Sequence, residues 1–183
     1  MEKICGIDEA GRGPLAGPVT AAAVILPIGF DTGLLADSKS LPTAKRESAA
    51  KYIMNNAHWS AGWSWPEEID TFNIHNATLL AMKRAFCTLD IRADRAVVDG
   101  KFTPSISVPC TAVVKGDTSI PAIMAASIIA KVLRDRWMIR YSWIEPEYGF
   151  ESHKGYPTKM HRAICSEIGL SPIHRKSFKV NPS

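Results

Sequence analysis

Apolar and polar positions along the chain fall into short runs separated by turn residues. Residues 3–8 are mainly apolar, end in Asp8-Glu9 and run into glycines, which predicts a first strand. Residues 18–26 (PVTAAAVIL) predict a second strand, whose small side chains permit close packing. Residues 43–55 predict a helix. Trp59, Ala61, Trp63 and Trp65 then alternate with Ser60, Gly62 and Ser64, the period-two pattern of a strand with the tryptophans packed on one sheet face. Residues 73–89 predict a strong helix, with Leu79, Met82, Phe86 and Leu89 at helical spacing. Arg95–Asp99 and Thr111–Val114 predict two further strands, and a long helix begins near Pro121, a residue suited to a first helical turn. HKGYPT (153–158) reads as a loop and residues 158–168 as a short helix. Strands first and βα units afterwards predict an α/β fold, a mixed β-sheet flanked by helices with a small helical C-terminal region.

Composition narrows the class. The chain has 183 residues, 46% of them hydrophobic, with a formal net charge of +4. That balance excludes disorder as the dominant state and suits one domain, residues 1–183, with a core of its own. The longest apolar run, Ala21–Leu26, stops at Pro27, far short of the roughly 20 residues a membrane span needs. Cys5, Cys87, Cys110 and Cys165 form no C-x-x-C pair and read as free thiols of a reducing compartment. The N-terminus meets acid before any signal-like apolar stretch, so a cytoplasmic location is expected. The charge is unevenly divided. Residues 1–100 carry ten Lys and Arg against twelve Asp and Glu, residues 101–183 twelve against six. An acidic front and a basic back suit a polyanion whose chemistry needs cations in between.

The candidate chemistry lies where apolar strands turn polar. Asp8 and Glu9 close the first strand, Asp99 closes VVDG, and Asp117 follows VVKGD. Each alone could be a turn residue, and Asp117 could cap the following helix. Together, carboxylates converging at a sheet edge repel one another unless a cation neutralises them, and all-oxygen donors suit Mg²⁺ or Mn²⁺. Two such ions about 3.5–4 Å apart can activate water and stabilise the leaving oxygen of a phosphodiester. After Glu9 comes AGRGPLAGP, a glycine turn that permits positive φ and close approach of a nucleic-acid backbone, with Arg12 as a donor fork. It has neither Walker nor dinucleotide-binding spacing.

IDEAGRGPLAGPV (7–19), DSKSL (37–41), VVDG (97–100), VVKGD (113–117), AASIIAKVLRD (125–135), HKGYPT and HRKSF (174–178) together resemble the ribonuclease HII family, in family order over almost the whole chain. The resemblance implies a ribonuclease H-like α/β domain. It implies Mg²⁺- or Mn²⁺-dependent endonucleolytic cleavage of RNA in RNA–DNA hybrids, and of DNA containing single ribonucleotides. Asp8, Glu9, Asp99 and Asp117 match the catalytic, metal-binding carboxylates. Gly11, Arg12 and Gly13 match the motif that reads the ribose 2′-OH, Tyr156 a tyrosine packing at the ribonucleotide–deoxyribonucleotide junction, and Lys39 a lysine near the scissile phosphate. One departure is Pro42, where the family often has Ser; Thr43 is the expected substitute as helix cap. Two-metal chemistry of this kind leaves a 5′-phosphate and a 3′-hydroxyl.

Ser127, Lys131 and Arg134 share one face of the long helix. Ser127 reads as a packing residue, and Lys131 and Arg134 as phosphate contacts. Lys154, Lys159, Arg162, Arg175 and Lys176 extend a basic, duplex-binding surface. The five histidines show no metal-type pair in sequence, and His153 reads either as a residue near the site or as one that orders the loop. A monomer is expected. Two rival readings differ in what they leave unexplained: a binding module without catalysis has no use for four strand-end carboxylates, and a nucleotide hydrolase has none for an extended basic surface.

Overall fold

Strand β1 (Ile4–Ala10) occupies the centre of the molecule, and everything functional is arranged around its C-terminal end. The structure is a computed structural model describing residues 2–35 and 42–180. A five-stranded sheet has the order β3-β2-β1-β4-β5. In it β2 is Val19–Ile25, β3 His58–Ser64, β4 Arg95–Asp99 and β5 Cys110–Val113. β1 and β2 are antiparallel, as are β2 and β3, whereas β4 runs parallel to both β1 and β5. The sheet is therefore mixed, and it has the α/β architecture expected from the sequence.

Helices cover both faces. Alternate residues of β1 and β2, among them Cys5, Ile7, Ala21 and Ala23, pack against α2 (Pro66–Cys87). On the other face Ala22 and Val24 pack against α1 (Thr43–Asn56) and α3 (Pro121–Tyr141). A third, aromatic cluster around Tyr148, Phe150 and Met138 joins α3 to the C-terminal helices α4 (Phe150–His153) and α5 (Lys159–Ile168).

Strand β3 reverses the naive reading of its pattern. Ser60, Gly62 and Ser64 form its buried face, and the tryptophans are only half-buried. The reason is close approach by α2. The Ser64 hydroxyl donates to the Ala77 carbonyl at 2.8 Å and the Ser60 hydroxyl to that of Ala85 at 2.5 Å. Between them, a Cβ on Gly62 would lie 2.1 Å from the Ala81 carbonyl oxygen. Small residues on the strand meet alanines one turn apart on the helix, so backbone packs on backbone. Trp59 packs on the opposite sheet face against the α1–α3 cluster as expected, its Nε1–H donating to the Met54 carbonyl, whereas Trp63 packs on Trp65 and Trp65 on Trp137.

Two boundaries differ from expectation. The helix expected over 73–89 begins at Pro66, with a break at Asn73 (φ +66°). The Asn73 side chain accepts hydrogen bonds from the N–H groups of His75 and Asn76, so it caps the second segment. The first segment, PEEIDTF, has too few apolar positions to announce itself, and Glu68 stabilises its start by accepting from the Trp65 N–H. Thr43 is not a cap. It is the first residue of α1, after Pro42, whose side chain makes no capping bond.

Replacing Gly62 by Ala forces α2 away from β3 and is expected to destabilise the fold by about 2 kcal/mol, as for overpacked cores. Urea denaturation checks this; an unchanged midpoint would contradict the backbone-on-backbone contact.

Candidate active site

The carboxylates meet because of strand register. β1 and β4 are parallel with Ile7 beside Val98, so Asp8 and Asp99 are the next residues on adjacent strands. Asp117 arrives from the next connection, in a 3₁₀ turn (Gly116–Thr118) after β5, entered through Lys115 in the left-handed region. Carboxylate oxygens of Asp8, Asp99 and Asp117 all lie within 4.8 Å of one another. Asp8 and Asp117 are buried and Asp99 half-buried. The Asp117 N–H donates to Asp99 at 3.3 Å and the Glu9 N–H to Asp8 at 2.7 Å. Asp117 is thus a member of the cluster rather than a helix cap; α3 begins four residues later, after Ile120.

The electrostatics show what the cluster lacks. Burial, then the nearby Glu9 and Asp99 charges, hold the Asp8 carboxyl well above the ordinary range. The Glu9 N–H and the Ser127 hydroxyl, which bond to Asp8, oppose this only in part. Glu9 is also raised by burial, although Arg12 beside it pulls the other way, their charged atoms 3.4 Å apart. Three hard-oxygen donors at such spacing, destabilised by their own repulsion, fit a divalent cation of the Mg²⁺ or Mn²⁺ type. Such an ion would be held by Asp8, Asp99 and Asp117, with Glu9 alongside.

Glu9 is also one wall of a cleft of about 330 Å³ that runs past Gly11, Arg12 and Gly13 to Ser127, Lys131 and Tyr156. Arg46, not singled out in the sequence, lines the same cleft. Ser127, read from sequence as packing, belongs to it too, and its bond to Asp8 links α3 to the acidic cluster. Lys131 pairs with Asp135 at 2.9 Å and stands 5.5 Å from the centre of the Tyr156 ring, which is 40% exposed. Lys39 and the rest of DSKSL lie outside the described residues.

Two residues placed on the phosphate-facing surface by sequence reasoning are elsewhere. Arg134 is fully buried and donates to the carbonyls of Pro18, Lys154 and Ala16 at 2.9, 3.0 and 3.1 Å. Arg175 is 1% exposed and donates to the carbonyls of Gly11, Arg12, Pro14 and Gly17, between 2.5 and 3.0 Å. Neither guanidinium is free to meet a phosphate. Together they hold the glycine turn from behind. Gly11 (φ +97°) allows this, since a Cβ there would lie 2.1 Å from Arg134 Nε. Gly13 has a different role: a Cβ would meet only Tyr156, at 3.9 Å, so its absence keeps the cleft open.

The consequence follows from peptide geometry. A trans peptide is planar, with its C=O and the next N–H pointing in opposite directions. The Gly11 and Arg12 carbonyls point to Arg175. The N–H groups of Arg12 and Gly13 therefore point away from it. His153 orders the opposite rim: its Nε2–H donates to the Tyr148 carbonyl and its Nδ1 accepts from the Gly155 N–H. Gly155 in turn accepts from the Leu15 N–H at 2.8 Å.

Comparison with known proteins gives a consistent result. A family model described as Ribonuclease HII matches residues 5–181. A ribonuclease HII of Treponema denticola is 54% identical over 97% of this chain and 98% of its own. One of Dechloromonas aromatica is 51% identical over 96% of this chain and 90% of its own. Among solved structures, the ribonuclease H2 of Pyrococcus horikoshii OT3 superposes with a TM-score of 0.82 at 25% identity, covering 97% of this chain and 94% of that one.

Arg175→Lys keeps the charge but loses the fork, leaving buried carbonyls without donors. A loss of about 3 kcal/mol is expected, which for a chain of this size lowers the melting temperature by roughly 6–12 °C. Thermal unfolding measures it, and an unshifted transition would refute the clasp.

Proposed function

The chain belongs to the ribonuclease HII family and is an endonuclease acting on RNA–DNA hybrids; from that premise we propose that it also nicks DNA on the 5′ side of single embedded ribonucleotides, leaving 5′-phosphate and 3′-hydroxyl ends. The observation that carries this reading is that Glu9, next to Asp8 of the carboxylate cluster, is also a wall of the cleft lined by Gly11, Arg12 and Gly13, whose turn carbonyls are held by Arg175. Discriminating RNA from DNA along a strand requires a contact to the 2′-OH. The N–H groups of Arg12 and Gly13 can donate to that hydroxyl without rotating away, because Arg175 fixes their peptides. A reader built of backbone loses no side-chain entropy on binding.

The remaining residues take complementary roles. Asp8, Glu9, Asp99 and Asp117 would hold a pair of Mg²⁺ or Mn²⁺ ions, which would supply water activation and neutralise charge on the departing 3′-oxygen. Ser127 orients Asp8 through its hydrogen bond. Arg12 restrains Glu9 and offers its exposed guanidinium to the backbone of the nucleic acid. Tyr156 presents a ring face next to Gly13, suited to packing on a sugar or base at the junction. Lys131, Arg46 and Lys39 supply positive charge for phosphates, whereas Arg134 acts as a positioning residue. The protein works as a monomeric single domain of the cytoplasm, in keeping with its free cysteines and its bacterial relatives. No helix among the described residues is long and apolar enough to cross a membrane.

A labelled DNA duplex with one ribonucleotide, incubated with Mn²⁺ or Mg²⁺, tests the proposal. The wild type is expected to nick 5′ to the ribonucleotide, and Asp99→Asn to bind hybrid but not cleave it. Near-normal turnover of that variant in saturating Mn²⁺ would remove the carboxylates from the chemistry. Tyr156→Ala is expected to slow cleavage at lone ribonucleotides on the order of tenfold, the loss of one stacking contact, with little change in melting temperature. An unchanged rate with a large fall in stability would make Tyr156 a packing residue instead.

A further inference from the structure

The C-terminal region buries a second group of potential metal ligands, distinct from the carboxylates. His161 and Cys165 stand one turn apart on α5, and His174 comes from the segment that crosses beneath the glycine turn. All three side chains are buried, and one donor atom of each lies within 4.8 Å of the others. His161 Nε2 is 3.0 Å from His174 Nε2, and Cys165 Sγ is 3.2 Å from the same nitrogen. Sequence spacing concealed the group, because only the fold brings residue 174 to residues 161 and 165.

Hydrogen bonds fix the state of both rings. His161 Nδ1 faces the Tyr156 carbonyl at 2.9 Å, and His174 Nδ1 faces the Ser171 carbonyl at 3.2 Å. A carbonyl only accepts, so both Nδ1 atoms carry the proton and both Nε2 atoms present a lone pair. Two lone pairs facing each other at 3.0 Å repel unless a cation or a proton sits between them. The Cys165 thiol can satisfy only one of the two nitrogens.

We propose that His161 Nε2, His174 Nε2 and Cys165 Sγ bind a transition-metal ion of the Zn²⁺ class. Two imidazoles and a thiolate are borderline-to-soft donors, which favour Zn²⁺ over the Mg²⁺ or Mn²⁺ suited to carboxylates. Each ring is oriented by its Nδ1–H on a backbone carbonyl, the outer-shell arrangement usual for ligating histidines. Zn–N of about 2.0 Å and Zn–S of about 2.3 Å in a tetrahedron imply ligand separations of roughly 3.3–3.6 Å, so the group opens by a few tenths of an ångström. The thiol loses its proton to solvent as the Zn–S bond forms. Water takes the fourth position, since no further His, Cys, Asp or Glu joins the group among the described residues. His153, stacked on His161 at 4.1 Å, has both ring nitrogens engaged with backbone and is not a ligand. The bound ion ties α5 to the segment whose next residue, Arg175, clasps the glycine turn.

Chelator-treated full-length protein titrated with Co²⁺ tests the site independently of nuclease activity. Wild type is expected to develop a near-ultraviolet thiolate-to-cobalt band at one equivalent, and Zn²⁺ alone to displace it and raise the melting temperature. Cys165→Ser loses the band, and Asp99→Asn keeps it. Absence of the band in wild type together with no thermal shift on adding Zn²⁺ would overturn the proposal, whether or not the Cys165 variant folds. A band that survives in folded Cys165→Ser would do the same.

Discussion

Two buried guanidinium groups determine the shape of the recognition turn. Residues 11–18 form an irregular segment with two prolines, and an irregular segment cannot satisfy its own carbonyls when buried. Arg134 and Arg175 satisfy six of these, at Gly11, Arg12, Pro14, Ala16, Gly17 and Pro18. Lysine could not replace them: its three donors radiate from one nitrogen, whereas the guanidinium spreads five over a rigid plane. The arrangement has an electrostatic cost. Burial lowers Arg134 to about 10, and burial with repulsion from Arg134 lowers Arg175 to about 9. Both remain charged at neutral pH, their donors bonded to carbonyl oxygens, with Asp135 and Asp70 favouring the charge of Arg134 and Arg175 respectively.

The acidic cluster has the opposite imbalance. Burial and the neighbouring Glu9 and Asp99 charges oppose ionisation of Asp8, and burial opposes that of Glu9. Pairing them with the buried arginines would relieve both strains and destroy both functions, because a carboxylate bound to guanidinium has fewer oxygens for a cation and the turn would lose its donors. The fold prevents this pairing by using the arginines fully on carbonyls. Arg12 bridges the two regions, at the longer distance of 3.4 Å and with half its side chain in solvent.

The parts legible in the sequence are those governed by local pattern. The strands, the long helix after Pro121 and the acids at strand ends follow from apolar runs and their polar terminators. What stayed hidden depended on burial and on distant partners. Arg134 and Arg175 looked like surface cations because charge in a sequence carries no record of exposure. A usable signal lay in the turn itself: two prolines and three glycines among residues 11–18 leave many carbonyls and few local donors, which requires donors from elsewhere. The Ser-Gly-Ser face of β3 misled for a related reason, since close backbone packing selects small residues over apolar ones. Residues 66–72 carry no legible signal because about two turns of helix have too few apolar positions to show a period.

Catalytic and recognition parts also differ in where along the chain they are completed. The carboxylates belong to β1, β4 and the turn after β5, so residues 4–117 contain the whole cluster. The recognition turn begins at residue 11, but its geometry depends on Arg134, Gly155 and residues 173–175, more than 110 positions away. A chain lacking its last ten residues could assemble the acidic cluster and still have no fixed turn beside the cleft. Discrimination of the sugar is thus completed only when the C-terminal segment packs, and the residues that cut are joined to those that select through β1, through the Arg12–Glu9 pair and through α3, which carries both Ser127 and Arg134.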